Sequence, residues 1–217
     1  MAERIATHKP KKKGTVREYA EAFVIAFIIA LLIRTFLIQA FKIPSSSMEP
    51  TLLVGDHILV SKFIYGIRIP YIGKKFLTFH KPGRGDIIVF VYPEDPKKDF
   101  IKRVVATEGE EVRIKDRQIF VNGKGIDDPW GVYGERGRLF IPGPLRPRDN
   151  YGPKVVPSNS LFVLGDNRDN SQDSRYWGFV KLSAVKGKAF VIYFSYNREA
   201  TALVNKVRWN RFGKLLR

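Results

Sequence analysis

The 217-residue chain contains no cysteine, only three histidines, and 21 acidic side chains against 38 basic ones. Without cysteine there is no disulfide, no thiolate metal site and no thiol nucleophile; an exported location is allowed but not marked. His8 lies in a basic tail, His57 follows Asp56, and His80 stands between Phe79 and Lys81. None is at a recognisable spacing from an isolated carboxylate, and no Gly-x-Ser-x-Gly elbow exists, so a Ser-His-Asp triad has no support. The shortage of acid leaves a formal net charge of +17, which suits nucleic acid and the surface of an anionic membrane equally well.

What is present falls into an apolar leader and a β-patterned body. Residues 1–17 carry six basic side chains against Glu3 alone, about +5, which leaves some 12 positive charges for the body. Ala22 to Ile33 is an unbroken run of twelve apolar residues, with Arg34 placed to snorkel at its far end. A cleaved signal peptide would need a small-x-small site after the run, where Ile38 stands instead. The expectation is therefore a retained transmembrane anchor over 18–38, a basic cytoplasmic tail over 1–17, and an extracytoplasmic domain over 39–217. From Leu52 onward the pattern is that of short strands, at 57–64, 86–92, 100–106, 111–114, 118–122, 160–164 and 185–196. Lys115 and Asp116 open a tight hairpin. Between 123 and 157, 13 of 35 residues are glycine or proline, which predicts an inserted lobe without regular structure, the hairpin and lobe together covering 115–157. The basic segment from Asn197 reads as a final strand and a frayed end.

Three polar clusters carry candidate chemistry. Ser45, Ser46 and Ser47 lie between Pro44 and Pro50, which exclude a helix or strand interior and hold the triplet in a turn. Alone, such a triplet reads as a solvated turn. A serine nucleophile needs a base, and lysine can serve only where burial lowers its pKa by several units. In the strand from Phe100 to Ala106, Lys102 shares a face with Phe100, Val104 and Ala106, and Arg103 shares the other with Ile101 and Val105. An inward face holding Lys102 and an edge strand with both cations solvated are equally open on the residues alone. The third cluster, Gly165 to Gly178, is dense in Asp, Asn, Ser and Arg, but lacks the glycine and terminal glutamate of an EF-hand calcium loop.

Taken together, Ser-x-Ser-Met-x-Pro-Thr-Leu after an apolar anchor, Gly85-Asp86, Lys102-Arg103 in an apolar strand, and Gly-Asp-Asn-x-x-Asn-Ser-x-Asp-Ser-Arg resemble the bacterial type I signal peptidases over residues 34 to 195. That resemblance implies a mainly β fold: a coiled, barrel-like antiparallel catalytic domain behind one membrane helix, with a small Gly/Pro-rich lobe. It implies a Ser/Lys dyad endopeptidase that removes signal peptides after Ala-x-Ala-like sites through an acyl-enzyme. By the resemblance Ser47 is the nucleophile, Lys102 the base, Ser45 the oxyanion donor, Ser171 the hydroxyl that orients the lysine, and Asp173 with Arg175 a supporting ion pair. Met48 and Pro50 are expected to contact substrate or membrane, and Ser46 only to complete the turn, where many relatives have glycine. No cofactor and no metal are implied. The expected partners are preprotein signal peptides, the lipid bilayer and the secretion translocon, with no nucleic acid, and the expected location is a cell's inner membrane. A self-cleaving repressor of related chemistry would need a helix-turn-helix in front, where this chain has a tail and an apolar run. A non-enzymatic, membrane-anchored β module is the rival that only a cleavage assay separates.

Overall fold

The computed structural model describes residues 15–65, 67–68, 75–77, 80–134 and 149–216; the tail over 1–14 and the middle of the expected lobe, 135–148, lie outside them. The apolar run forms helix α1, Thr15–Leu32, which widens into a π-helical turn over Ile33–Leu37. These 23 residues bury nothing against the body, and at 1.5 Å per residue they reach about 34 Å, enough for a bilayer's hydrocarbon core. A helix apolar on every face and packed on nothing is stable in lipid, where its backbone groups are satisfied internally. The helical segment thus covers 15–37 where 18–38 was expected, and it runs straight into strand β1, Ile38–Lys42. That strand was hidden because Phe36, Leu37 and Ile38 continue the apolar run without a break.

The body is mainly β. Strands β2 (Asp56–Ser61), β3 (Ile67–Arg68), β4 (Lys75–Leu77), β5 (Ile87–Val91), β6 (Asp99–Thr107), β7 (Glu111–Lys115), β8 (Gln118–Val121) and β9 (Lys124–Gly125) precede the undescribed stretch. Strands β10 (Tyr151–Val155), β11 (Ser160–Leu164), β12 (Val180–Lys181), β13 (Val185–Ser195) and β14 (Lys214–Leu215) follow it, with a single helical turn α2 at Ser174–Trp177. The larger sheet is antiparallel in the order β1-β2-β13-β5-β6-β11-β12, with β14 added to β13. Its middle strands are apolar on both faces. Ile87 and Val89 of β5 enter one core cluster with Met48 and Leu52, while Ile88 and Phe90 enter another with Val104 and Val163. Each such residue contributes about 1.5–3 kcal/mol by leaving water. Strand β6 therefore lies between β5 and β11, and the edge-strand reading of Lys102 and Arg103 does not apply.

A smaller sheet, β10-β7-β8-β9, closes over a third cluster. Strand β7 alternates strictly, with Val112 and Ile114 buried between exposed Glu111, Arg113 and Lys115. Asp116 and Arg117 join it to β8 with φ of 49° and 70°, the left-handed pair that matches strand twist. Arg117 is held in that conformation by Asp149, whose carbonyl and carboxylate accept from its N–H and its Nε at 3.0 and 3.1 Å. The stretch 123–157 is not wholly irregular, since it contributes β9 and β10. Pro153 is accommodated because β10 is an edge strand with a register shift between Tyr151 and Lys154, where no ladder N–H is needed. The chain end is not frayed either. Arg211 grips the buried Asp56 at 2.6 and 2.9 Å and donates to Thr51 O at 2.9 Å, and Leu216 lies in the core.

Candidate active site

Strands β1 and β2 form an antiparallel pair, and the connection between them carries the serine triplet. The ladder continues one residue past β1, with Ile43 donating to Asp56 O and accepting from Gly55 N–H. The chain then turns through Ser46 and Glu49, whose N–H donates to Ser46 O at 3.1 Å. Met48 and Leu52, joined by a further backbone bond, drop into the core beneath the turn and pin it. Met48 is fully buried, so the expected surface contact through it is incorrect; Pro50 remains exposed. The turn needs an anchor in the core, and Met48 is that anchor.

Lys102 reaches this turn from β6. Its Nζ donates to Ser47 Oγ at 2.8 Å and to Ile101 O at 3.0 Å, and it stands 5.3 Å from the centre of the Phe100 ring. Both partners are buried, Ser47 at 8% and Lys102 at 4% exposure. Burial is the main force on the amine and pulls its pKa down to about 8; Asp173 and then Asp166 oppose the shift, and Arg175 adds to it. Among the described residues no histidine bonds to a serine, and His57 instead lies edge-on to Tyr193 and Phe194.

The third cluster wraps the same turn. Asp173 accepts Arg175 Nε and Nη2 on its two oxygens at 2.8 Å, and its Oδ2 also accepts Gly165 N–H at 3.1 Å. Asn167 N–H donates to Ser47 O, Asn167 Nδ2 to Ser46 O, and Asn170 Nδ2 to Ser46 Oγ at 2.7 Å. Ser46 therefore does more than complete the turn, because its hydroxyl ties the triplet to the loop after β11. Ser45 Oγ lies 3.5 Å from Ser47 Oγ, at the exposed side of the site. Ser171 is buried near Gly165, but its hydroxyl has no hydrogen-bond partner among the described residues; the bond to Lys102 that the resemblance implies is not made.

Sequence reasoning missed Arg103 and Asp166. Both faces of β6 are buried, and Arg103 at 1% exposure forms a two-pronged pair with Asp166 at 2.8 and 2.7 Å. Arg103 also donates to Gly85 O at 2.7 Å and lies 4.4 Å from the Trp130 ring, while Asp166 accepts Thr51 Oγ1 at 2.6 Å. With Asp166 and Asp173 each holding a guanidinium, the acidic loop is built to bind arginine. The sequence signal was the Gly85-Asp86 pair, whose backbone bonds to Val104 bring Gly85 O within reach of the guanidinium. Gly165 is the tightest contact in the site. A Cβ there would stand 2.2 Å from Ser171 Oγ and 2.5 Å from Ser47 O. Gly165→Ala is expected to lower stability by about 1–3 kcal/mol and to displace the Ser47 turn, so that a thermal melt and the cleavage rate fall together; a variant as active as the native chain would contradict the packing.

A serine hydroxyl bonded to a buried lysine amine, on an antiparallel β body behind one apolar helix, is an arrangement that could serve a hydrolase of the serine type. A family model described as signal peptidase, peptidase S26, matches residues 16–194. A signal peptidase I of Pseudomonas fluorescens is 38% identical over 219 residues, covering 88% of this chain and 77% of its own. A probable signal peptidase I-2 of Synechocystis sp. is 39% identical over 205 residues, covering 89% and 83%. A crystal structure of a signal peptidase I from Enterococcus faecalis aligns with a TM-score of 0.40 at 30% identity, covering 50% of this chain and 97% of that one. The chain belongs to the signal peptidase family, peptidase S26, and is a serine peptidase.

Proposed function

We propose that the chain removes N-terminal signal peptides from exported preproteins with Ser47 as nucleophile and neutral Lys102 as general base. The observation that carries this reading is the 2.8 Å bond between a buried lysine of lowered pKa and a buried serine hydroxyl. Lys102 takes the Ser47 proton as Oγ attacks the scissile carbonyl and gives it to the departing amine, leaving an acyl-enzyme. The amine, neutral again, then takes a proton from the attacking water and returns it to Ser47 Oγ as the acyl group leaves. The oxyanion is assigned to Ser45 Oγ and to Ser47 N–H, which donates to nothing among the described residues. The Asp173–Arg175 pair holds the loop behind the lysine, and Ser171, buried with a free hydroxyl, is assigned the orientation of the amine during proton transfer.

Substrate is taken as an extended segment with small side chains at the first and third positions before the cut, as the family resemblance implies, and Pro50 lies on the exposed rim where it would pass. The helix α1 crosses a cell's inner membrane once, with the basic tail in the cytoplasm and the body outside, next to the secretion translocon that delivers preproteins. The test is a fluorogenic peptide ending in Ala-x-Ala, incubated with the purified chain in detergent. It is expected to be cut directly after the second alanine, and an uncut peptide would sink the reading. In the same assay Ser45→Ala should lower kcat about 10²- to 10³-fold with KM little changed; an unchanged kcat would remove Ser45 from the oxyanion site.

A further inference from the structure

The junction between α1 and the body contains a groove of about 850 Å³ that the proposed reaction does not use. Leu31, Ile33, Ile38 and Leu59 give it an apolar lining that includes residues of the helical segment, and Arg34 and Lys62, with Thr35 and Gln39, give it a polar one. Lys62 follows β2 and closes the helix end with three bonds. Its N–H donates to Leu37 O at 2.9 Å and its Nζ to Arg34 O and Thr35 O at 3.2 and 3.3 Å. The Arg34 side chain has no hydrogen bond or ion pair among the described residues, and no acidic residue lines the groove. Burial, then Lys186, then Arg34 lower the pKa of Lys62, so cations are crowded here beyond what Asp99, paired with Lys186 at 2.7 Å, neutralises.

We propose that this groove binds one anionic glycerophospholipid, with its phosphodiester between Arg34 and Lys62 and its acyl chains along the apolar side of α1. Charge complementarity selects the occupant, since two unneutralised cations call for an anion. Position selects its source, because apolar walls joined to a membrane-length helix suit acyl chains and not a soluble phosphate. The proposal rests on the membrane-spanning reading of α1. It goes beyond a general attraction of basic residues to lipid, because it assigns the preference to Arg34 and Lys62 and not to the charged tail.

The test uses the full chain reconstituted in phosphatidylcholine vesicles, with trace spin-labelled phosphatidylglycerol or spin-labelled phosphatidylcholine, and compares the motionally restricted fraction of each. The native chain should restrict phosphatidylglycerol preferentially. Arg34→Gln, whose side chain bonds to nothing among the described residues, should reduce that preference about fivefold, as removal of one cation at a lipid surface predicts. Lys62→Gln should do likewise while keeping a donor for the helix end, and Lys11, Lys12 and Lys13 replaced together by Gln should leave the preference in place. Equal restriction of the two lipids, an unchanged preference in Arg34→Gln, or loss of preference in the tail variant would each overturn the site. Release of the chain from the vesicles by alkaline carbonate would show instead that α1 does not span, and would overturn both readings.

Discussion

Lys102→Met is expected to leave the purified chain at least about 10⁴-fold slower in cleaving an Ala-x-Ala peptide, and Ser47→Ala to match it, because the two groups act as one unit and losing either removes the whole step. The usual objection to such a result is that the variant has unfolded. For Lys102→Met the opposite is expected. Burial holds the Lys102 pKa at about 8, below its ordinary 10.5. Because the unfolded chain binds this proton more tightly than the folded one, the site destabilises the fold fully below about pH 8 and the penalty fades as pH rises towards 10.5. At pH 7 methionine, of similar shape and no charge, should therefore make the chain more stable by roughly 1 to 3 kcal/mol while abolishing activity. A thermal melt at pH 7 and at pH 10.5 checks the sign, with the gain shrinking at the higher pH. An inactive variant that also melts lower at pH 7 would count against a lysine held under desolvation strain.

Arg103→Leu carries the second large effect, and it falls on stability. Asp166 is fully buried, and without the guanidinium its carboxylate keeps Thr51 but loses the cation that pairs with it at 2.7 Å. Leaving one member of a buried pair behind costs about 3–5 kcal/mol, about a fifth or more of a typical domain's stability of about 5–15 kcal/mol. The melting temperature should fall by about 6–20 °C for a domain of this size. Arg103→Lys should recover little, because an ammonium cannot make the two-pronged contact with Asp166 and reach Gly85 O together. Arg103→Met combined with Asp166→Leu should recover most of the stability yet stay slow, since Thr51 then loses its acceptor below the Ser47 turn. A melting temperature for Arg103→Leu within a degree or two of native would show that the pair is not sealed from water.

The strand pattern and the polar clusters were legible because they are local. The alternation of Val112 and Ile114, and the prolines bracketing Ser45 to Ser47, are properties of a few neighbouring residues. The face of β6 was not legible, because a period of two separates a wet face from a dry one and this strand has no wet face. What makes Arg103 tolerable inside is Asp166, 63 residues further on, and nothing near Arg103 announces it. Ser46 was underestimated for the same reason, its partner Asn170 being 124 residues away. The register of β10 escaped because Gly152 and Pro153 read as loop; only the edge position and the bulge, both tertiary facts, admit them. Asp56 has no local signal beyond its place before His57, yet it is the anchor for Arg211, which locks the chain end beneath Thr51.

The central claim, that a neutral lysine and not a histidine activates Ser47, is tested most directly by the pH dependence of kcat/KM for the Ala-x-Ala peptide. The base must be unprotonated in the free enzyme, so the rate should rise through an apparent pKa of about 8, with about a tenth of full activity at pH 7. His57 and His80 replaced by Gln should leave that limb in place. The His57 pKa is itself lowered, by burial and then by Lys42, so a limb due to His57 would lie below 6.5. A rising limb that disappears when either histidine is replaced would contradict the account.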